Sequence, residues 1–461
     1  MKLYFSFICL FLLFLSELKA DHVMGGELRW DCLSNGRFRF YLTVYRDCTG
    51  IPYKYNDEIL TLHPNDTQYP LDQFGLPLKT ILLKPDSNRW LNERNGDTSP
   101  VCSGQYGDAN SCGDEDPGSM QQFFYVSAPV VINGIPPKIN GWDFTFIARC
   151  CRPNDLKNVK SSGGTMVLRA KMYRTKNRDK TYPCLDSSPK FEALPTTMVC
   201  RGQKFTYNSV VIDPDLDSIV FAWDKPINPG FSFVPLVYES GYSHDNPTPD
   251  KTFDQDNIPS TLNRTTGSVV MKVNNGGGTE KFLTVHRADS YRDGVKIASV
   301  YREIPVSVFD CERLPNNQIN TPPEVKLNGK NSNDIRIRTI AGQRLVVGVQ
   351  VKDSNLTGIG TQLQQVTIVP GGLMFSKTKA SDLPCQITYG RGQNMVVEPC
   401  AYLRKKTPFY DKDAFPPEYK IQAFGSITTK FIWQTDCRHI QTKTGTPGSL
   451  EGLYRFVLRV E

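Results

Sequence analysis

Apolar and polar residues alternate with a period of two along most of this chain, and no segment sustains a helical period. Phe38, Phe40, Leu42 and Val44 share one face of a strand, and Arg37, Arg39, Tyr41 and Thr43 share the other. The same pattern runs through Trp142, Phe144, Phe146 and Ala148, through Met166, Leu168, Ala170 and Met172, and through Ile219, Phe221 and Trp223. Hairpin signals separate such runs, with Asn35-Gly36 after a short strand at Leu28 and Trp30, and Asp293-Gly294 before a return strand at Ile304, Val306 and Val308. The pattern predicts an all-β chain of tandem Ig-like β-sandwiches, and 461 residues suit about three domains.

Residues 1–20 read as a cleaved signal peptide. Lys2 supplies the positive start, Leu3 to Leu15 the apolar core, and Leu18 and Ala20 suit the positions before the cut. The apolar run is shorter than the roughly 20 residues of a membrane-spanning helix. No later segment is apolar enough to cross, so no membrane span is expected in the mature chain.

Of 13 cysteines, Cys9 leaves with the leader and an even number remains, which predicts disulfides in an oxidising compartment. Zinc is disfavoured, because no CxxC pair repeats and the five histidines are scattered. Cys102 and Cys112 are expected to pin a Gly-, Asp-, Ser- and Asn-rich loop near residues 85–120. Cys200 precedes the first strand of the second module and Cys311 follows its last, so a bridge between them would tie both ends of one sandwich. Cys385 and Cys400 are further disulfide candidates in the third module. Cys32 and Cys48 fall about 30 Å apart along a straight strand, beyond the ~7 Å limit between bridged Cα atoms, so Cys48 is expected to pair elsewhere.

The expected domains are an N-terminal β-domain over 21–183, an Ig-like sandwich over 184–315 and a second over 321–461, after a Pro- and Asn-rich linker at 314–323. The last two repeat one grammar. Gly202-Gln203-Lys204-Phe205 is echoed by Gly342-Gln343-Arg344-Leu345, and Asp213-Pro214-Asp215 by Asp353-Ser354-Asn355. Because alternation continues through Tyr454, Phe456, Leu458 and Val460, the third module is expected to be incomplete at its C-terminus.

Asp213, Asp215 and Asp217 alternate in one turn, and three carboxylates so spaced can converge on calcium, a hard cation that takes six to eight oxygens. A polar turn between strands is the competing reading. Asp224 offers a fourth ligand. Tyr41 and Tyr45, on the outer face of their strand, are candidates for stacking on sugar rings, weighed against cross-strand packing on arginine. Gly276-Gly277-Gly278 lacks the Lys-Ser/Thr of a phosphate loop and reads as a strand connection. No HExxH or GxSxG is present, so no catalytic residue is predicted and the chain is read as non-enzymatic. The net charge of +7 is not gathered into a Lys/Arg run, which argues against a nucleic-acid partner.

Several segments, in order, resemble large secreted proteins of Bacteroidota. These are Gly25-Gly26-Glu27-Leu28-Arg29-Trp30, Tyr45-Arg46-Asp47-Cys48-Thr49-Gly50, Cys150-Cys151-Arg152-Pro153-Asn154, the acidic turn Asp213 to Ser218, and Tyr291-Arg292-Asp293-Gly294-Val295. Such proteins often end in a gliding-motility-associated domain, a sorting signal for type IX secretion, and that domain is absent here. The resemblance implies an extracellular or outer-surface protein in adhesion or gliding, with surface polysaccharide or other envelope proteins as partners. It lends no catalytic residues. The alternative is a carbohydrate-binding accessory protein of a polysaccharide-degrading system, and the alternative location is the periplasm.

Overall fold

The computed structural model describes residues 23–92, 120–174, 186–311 and 321–435, with short interruptions inside each, and residues 456–460. The fold is nearly all β. Among the described residues the one α-helix is α1 (Ser87–Asn92), started by Asp86, whose Oδ1 accepts the amide of Arg89.

The first unit comprises β1 (Val23–Cys32), β2 (Phe38–Asp47), β3 (Glu58–Pro64), β4 (Thr80–Pro85), β5 (Met120–Ser127), β6 (Trp142–Ile147) and β7 (Val167–Met172). Their antiparallel order is β1-β2-β5-β4-β3-β6-β7. That is the order of an Ig constant-type sandwich, four strands in one sheet and three in the other, with β4 and β3 hydrogen-bonded so that the two sheets are joined at one side. The alternating apolar residues named above all point inward. Leu28, Trp30, Phe40, Leu60, Phe144, Phe146 and Leu168 are fully buried in one core. Phe40 on β2 meets Phe144 on β6 with ring centroids 4.7 Å apart, where antibody domains place their inter-sheet disulfide.

The second unit contains β8 (Lys190–Phe191), β9 (Met198–Cys200), β10 (Phe205–Asn208), β11 (Val211–Ile212), β12 (Ser218–Trp223), β13 (Ile227–Asn228), β14 (Val234–Pro235), β15 (Ile258–Leu262), β16 (Ser268–Lys272), β17 (Glu280–Arg292) and β18 (Val295–Phe309). One sheet runs β12-β17-β18, with β9 added in parallel to β18, and the facing sheet runs β10-β16-β15. Val199, Val269, Met271, Phe282, Val306 and Val308 fill the space between them. Asp293 and Gly294 take φ of 51° and 74° in the β17–β18 turn, the left-handed pair that a two-residue hairpin loop requires.

The sheet does not stop at the boundary expected between residues 183 and 184. β18 pairs with β17 along one edge, and its other edge takes β7 at Ala298–Val300 and β1 at Arg302–Glu303. The two edge strands of the first sandwich therefore close on a strand of the second. Alternation cannot report this, because it identifies which face of a strand is buried and not which strand lies beside it.

The third unit holds β19 (Glu324–Leu327), β20 (Arg344–Lys352), β21 (Gln365–Gly372), β22 (Gln386–Tyr389), β23 (Val396–Pro399), β24 (Tyr402–Lys406), β25 (Asp411–Ala414), β26 (Ile421–Phe424), β27 (Ser426–Gln434) and β28 (Phe456–Val460). Sheets β19-β20-β27-β24-β25 and β26-β21-β28 enclose a core of Val347, Val349, Val366, Ile368 and Phe431. The repeat read from the sequence is physical. Gly202 and Gly342 both take positive φ, and the amides of Gln203 and Gln343 each close a turn onto the carbonyl three residues back. Asp213 Oδ1 and Asp353 Oδ1 each accept the amide two residues on, both at 2.8 Å.

Cys200 and Cys311 form a disulfide with Cα atoms 5.3 Å apart, tying the ends of β9 and β18 as expected. Cys32 and Cys48 are each disulfide-bonded. The register sets Cys32 opposite Phe38 and Arg46 opposite Val23, so the two cysteines lie at opposite ends of one hairpin. Cys102, Cys112, Cys385 and Cys400 lie outside the described residues.

Candidate functional site

Charged side chains gather where β18 meets the first unit. The acidic turn follows β11. Asp213 turns its Oδ1 inward to accept the amides of Asp215, at 2.8 Å, and Asp217, at 3.2 Å. This is the turn-forming use of aspartate, and it separates Asp213 from the other two in role. Asp215 and Asp217 converge with Asp186, which was not among the expected residues. Ligand atoms of these three lie within 4.8 Å of one another, the one such acidic group among the described residues.

A protein cation stands among them. Arg292 donates from Nε to Asp217 Oδ1 at 2.9 Å and from Nη2 to Asp217 Oδ2 at 2.5 Å and Asp186 Oδ1 at 2.7 Å, and Nη2 lies 3.8 Å from Asp215 Oδ2. Burial opposes the charge on this guanidinium, but Asp186 and Asp217 outweigh it and hold its pKa above the usual arginine value. Asp224 does not join the group. It pairs with Arg169 at 3.1 Å and Arg287 at 2.5 Å.

The turn is fastened to the first unit by residues 186–188, which run beside β1. Trp30 donates from Nε1 to the Asp186 carbonyl at 3.0 Å and from its amide to Ser188 Oγ at 2.9 Å, and Ser187 donates its amide to Asp215 Oδ2 at 2.7 Å.

Two further arginines cross the junction. Arg302 on β18 is fully buried, donates to Glu27 of β1 at 2.6 Å and to the Ala193 carbonyl at 2.7 Å, and lies 4.2 Å over the Phe191 ring. Arg152, also fully buried, donates to Glu303 of β18 at 2.5 Å and 3.2 Å, and spends its other protons on the Ile227 and Thr165 carbonyls and Asn228 Oδ1. Buried charges persist where each is paired and hydrogen-bonded in this way. Beside Arg302 on β17 sits His286, its ring 4.7 Å from that of Trp223. Burial first, then the charge of Arg302, lower its pKa to about 3, so it is neutral at physiological pH.

The seam brings the segments quoted for the resemblance together. Gly25 and Gly26, Glu27 and Trp30 come from the first segment and Arg152 from the third, while the acidic turn and Arg292 are the fourth and fifth. From the second segment, Asp47 Oδ2 accepts from Lys281 of β17 at 3.4 Å. Sequence reasoning did not give Asp186, Arg152, Arg292, Arg302 or Glu303 these roles. A signal for the last two was available, since Arg302 and Glu303 are the two charged residues in an otherwise uncharged stretch of β18 from Ile297 to Phe309.

Neither tyrosine offers a sugar platform. Arg29 lies 3.8 Å over the Tyr41 ring, directly across the strand pair. Tyr45 is not on an open face at all: it is buried with Met24, Met120 and Ile304, because β18 covers that end of β1 and β2. The triple glycine connects β16 to β17, with Gly278 fastened to Arg201 and Asp310.

No family model matches the chain, and no curated protein matches it. Among solved structures, it is similar to the N-terminal four Ig domains of Dscam1 isoform 6.44 at 9% identity and a TM-score of 0.12, over 82% of this chain and 78% of that chain. A score that low adds nothing to the fold, which rests on strand order and register.

Proposed function

We propose that this chain is a non-enzymatic, exported surface protein whose first two sandwiches act as one rigid body presenting adhesive or structural surfaces outside the cell, with a part in gliding motility as its most specific form. The observation that carries the reading is the seam: one sheet continues through β18 into both sandwiches, and buried arginine–carboxylate pairs lock it. Flexibly linked modules need no such lock, because inter-domain interfaces inside a chain are ordinarily small and polar. The carboxylates at the seam are engaged in ion pairs and turn bonds, which suits a structural role. The Cys200–Cys311 bridge suits an oxidising compartment. Among the described residues no helix is long and apolar enough to cross a membrane.

Surface proteolysis of intact native cells tests the proposal. Peptides from all three units are expected in the released fraction before the outer membrane is broken. Full protection until that membrane is breached would place the protein in the periplasm and end the adhesive reading.

A further inference from the structure

Two loops at one end of the first sandwich display large apolar side chains to solvent. One joins β3 to β4 and the other joins β5 to β6. Phe74 is 76% exposed and Leu76 61% in the first loop, and Ile139 is 82% and Ile135 57% in the second, with Leu71 also exposed. The loops are one unit, since Leu71 and Asn133 exchange both backbone hydrogen bonds, at 2.9 and 2.8 Å, and Asn133 Nδ2 donates to the Asp72 carbonyl.

The backbone of the β3–β4 loop is largely satisfied from within. The amides of Phe74 and Leu76 donate to Asp72 Oδ1 at 2.8 and 2.9 Å. The amides of Asp72, Gly75 and Leu78 donate to carbonyls of the same loop. Pro70, Pro77, Pro136 and Pro137 carry no N–H. Internal satisfaction of this loop lowers the cost of bringing its backbone into a low-dielectric layer. The one carboxylate at the tip, Asp72, is engaged by two amides, and the exposed Lys79 and Lys138 flank the apolar side chains.

We propose that this paired-loop tip is a peripheral docking site for an anionic lipid surface, in which Phe74, Leu76, Ile135 and Ile139 enter the headgroup–acyl boundary while Lys79 and Lys138 meet phosphate groups. Binding of this kind scales with buried apolar area plus attraction to anionic lipid. The exposed lysines beside these exposed apolar side chains match the charge of an anionic lipid surface. The inference is independent of where the protein is exported.

The test is co-sedimentation of the mature full chain with vesicles of phosphatidylcholine alone or mixed with phosphatidylglycerol. Binding is expected to favour the mixed vesicles. The double variant F74S/I139S should lower the partition coefficient by about tenfold or more, since burying one such side chain contributes on the order of a tenfold preference or more. The variant K79E/K138E should abolish the preference for phosphatidylglycerol. All substituted positions are exposed, and unchanged melting of each variant verifies its fold. In Phe74→Trp, the new emission should shift to the blue when mixed vesicles are added. Absence of sedimentation with either vesicle, or binding that F74S/I139S leaves intact, overturns the proposal. So does concentration-dependent self-association that F74S/I139S abolishes without any vesicle binding, which would give the tip to a second copy of the chain.

Discussion

Arg292 brings a single positive charge to three carboxylates. A divalent ion can sit there only by moving the guanidinium aside. The expected outcome is that exchanging calcium for chelator leaves the wild-type melting temperature unchanged. In Arg292→Gln, which removes the guanidinium that Asp186 and Asp217 share at a cost of about 3–5 kcal/mol, added calcium should recover a measurable part of the loss. A wild-type melting temperature that rises with calcium would show the ion binding to the folded state and would restore the ligand reading of Asp215 and Asp217. His286 makes a second prediction. Its folded pKa of about 3 lies below the ordinary 6.5, so the unfolded chain binds the extra proton first as pH falls. Its contribution is therefore complete above about pH 6.5 and is lost progressively towards pH 3, at about 1.4 kcal/mol per unit. Urea midpoints at several pH values should fall less steeply in His286→Phe, which keeps an aromatic ring against Trp223. Equal slopes would rule the histidine out.

At the scale of strands, the consecutive glycines of β1 are the hinge of the argument. A methyl group on Gly25 would stand 2.0 Å from the Glu303 carbonyl oxygen of β18. On Gly26 it would stand 2.3 Å from Leu168 Cδ1 and 2.4 Å from the Thr43 carbonyl oxygen. The Glu303 backbone cannot yield without opening the seam, so Gly25→Ala is expected to cost about 1–3 kcal/mol. Gly277→Ala, at a position with nothing within 4 Å, should lie within about ±0.5 kcal/mol. Urea unfolding measures both. The Cys200–Cys311 bridge spans 111 residues, and its removal should cost roughly 4–5 kcal/mol on a chain-entropy estimate.

Much at this scale was legible in the sequence. The inward sets on β2, β6 and β7, the Asp293-Gly294 turn and the repeated Gly-Gln turn follow from local pattern, while the Cys200–Cys311 bridge was suggested only by cysteines that flank the second module. What was not legible depends on residues distant in the chain. Tyr45 has the phase of an exposed residue, and it is buried by Met24, Met120 and, far along the chain, Ile304 of β18. Asp215 and Asp217 were visible as carboxylates, but their partners Asp186 and Arg292 are 29 and 77 residues from Asp215, and no periodicity links them.

For the molecule as a whole, the shared sheet predicts shared unfolding. The first two sandwiches should melt in a single calorimetric transition, because the core of the first includes Phe221, Ala288, Ala298 and Val300 from the second. Arg302→Met, which strands Glu27 at the seam, should lower that transition or split it. Two separate transitions in the wild type would refute the rigid-body reading. Length and linker composition suggest where units divide along the chain, but they say nothing about which strand edges are paired in space.

The pairing of Gly26 with Glu303 also sets an order in time. The chain is made from its N-terminus, so β1 and β7 emerge long before the strand that covers their edges. Until about 300 residues have been made, the first sandwich lacks Ala288, Ala298 and Val300 from its core and has two bare strand edges, the form most open to pairing with a neighbouring copy. Completion of the earliest part therefore waits on the later part. Chains interrupted before β18 should accumulate as aggregates rather than as a small folded fragment.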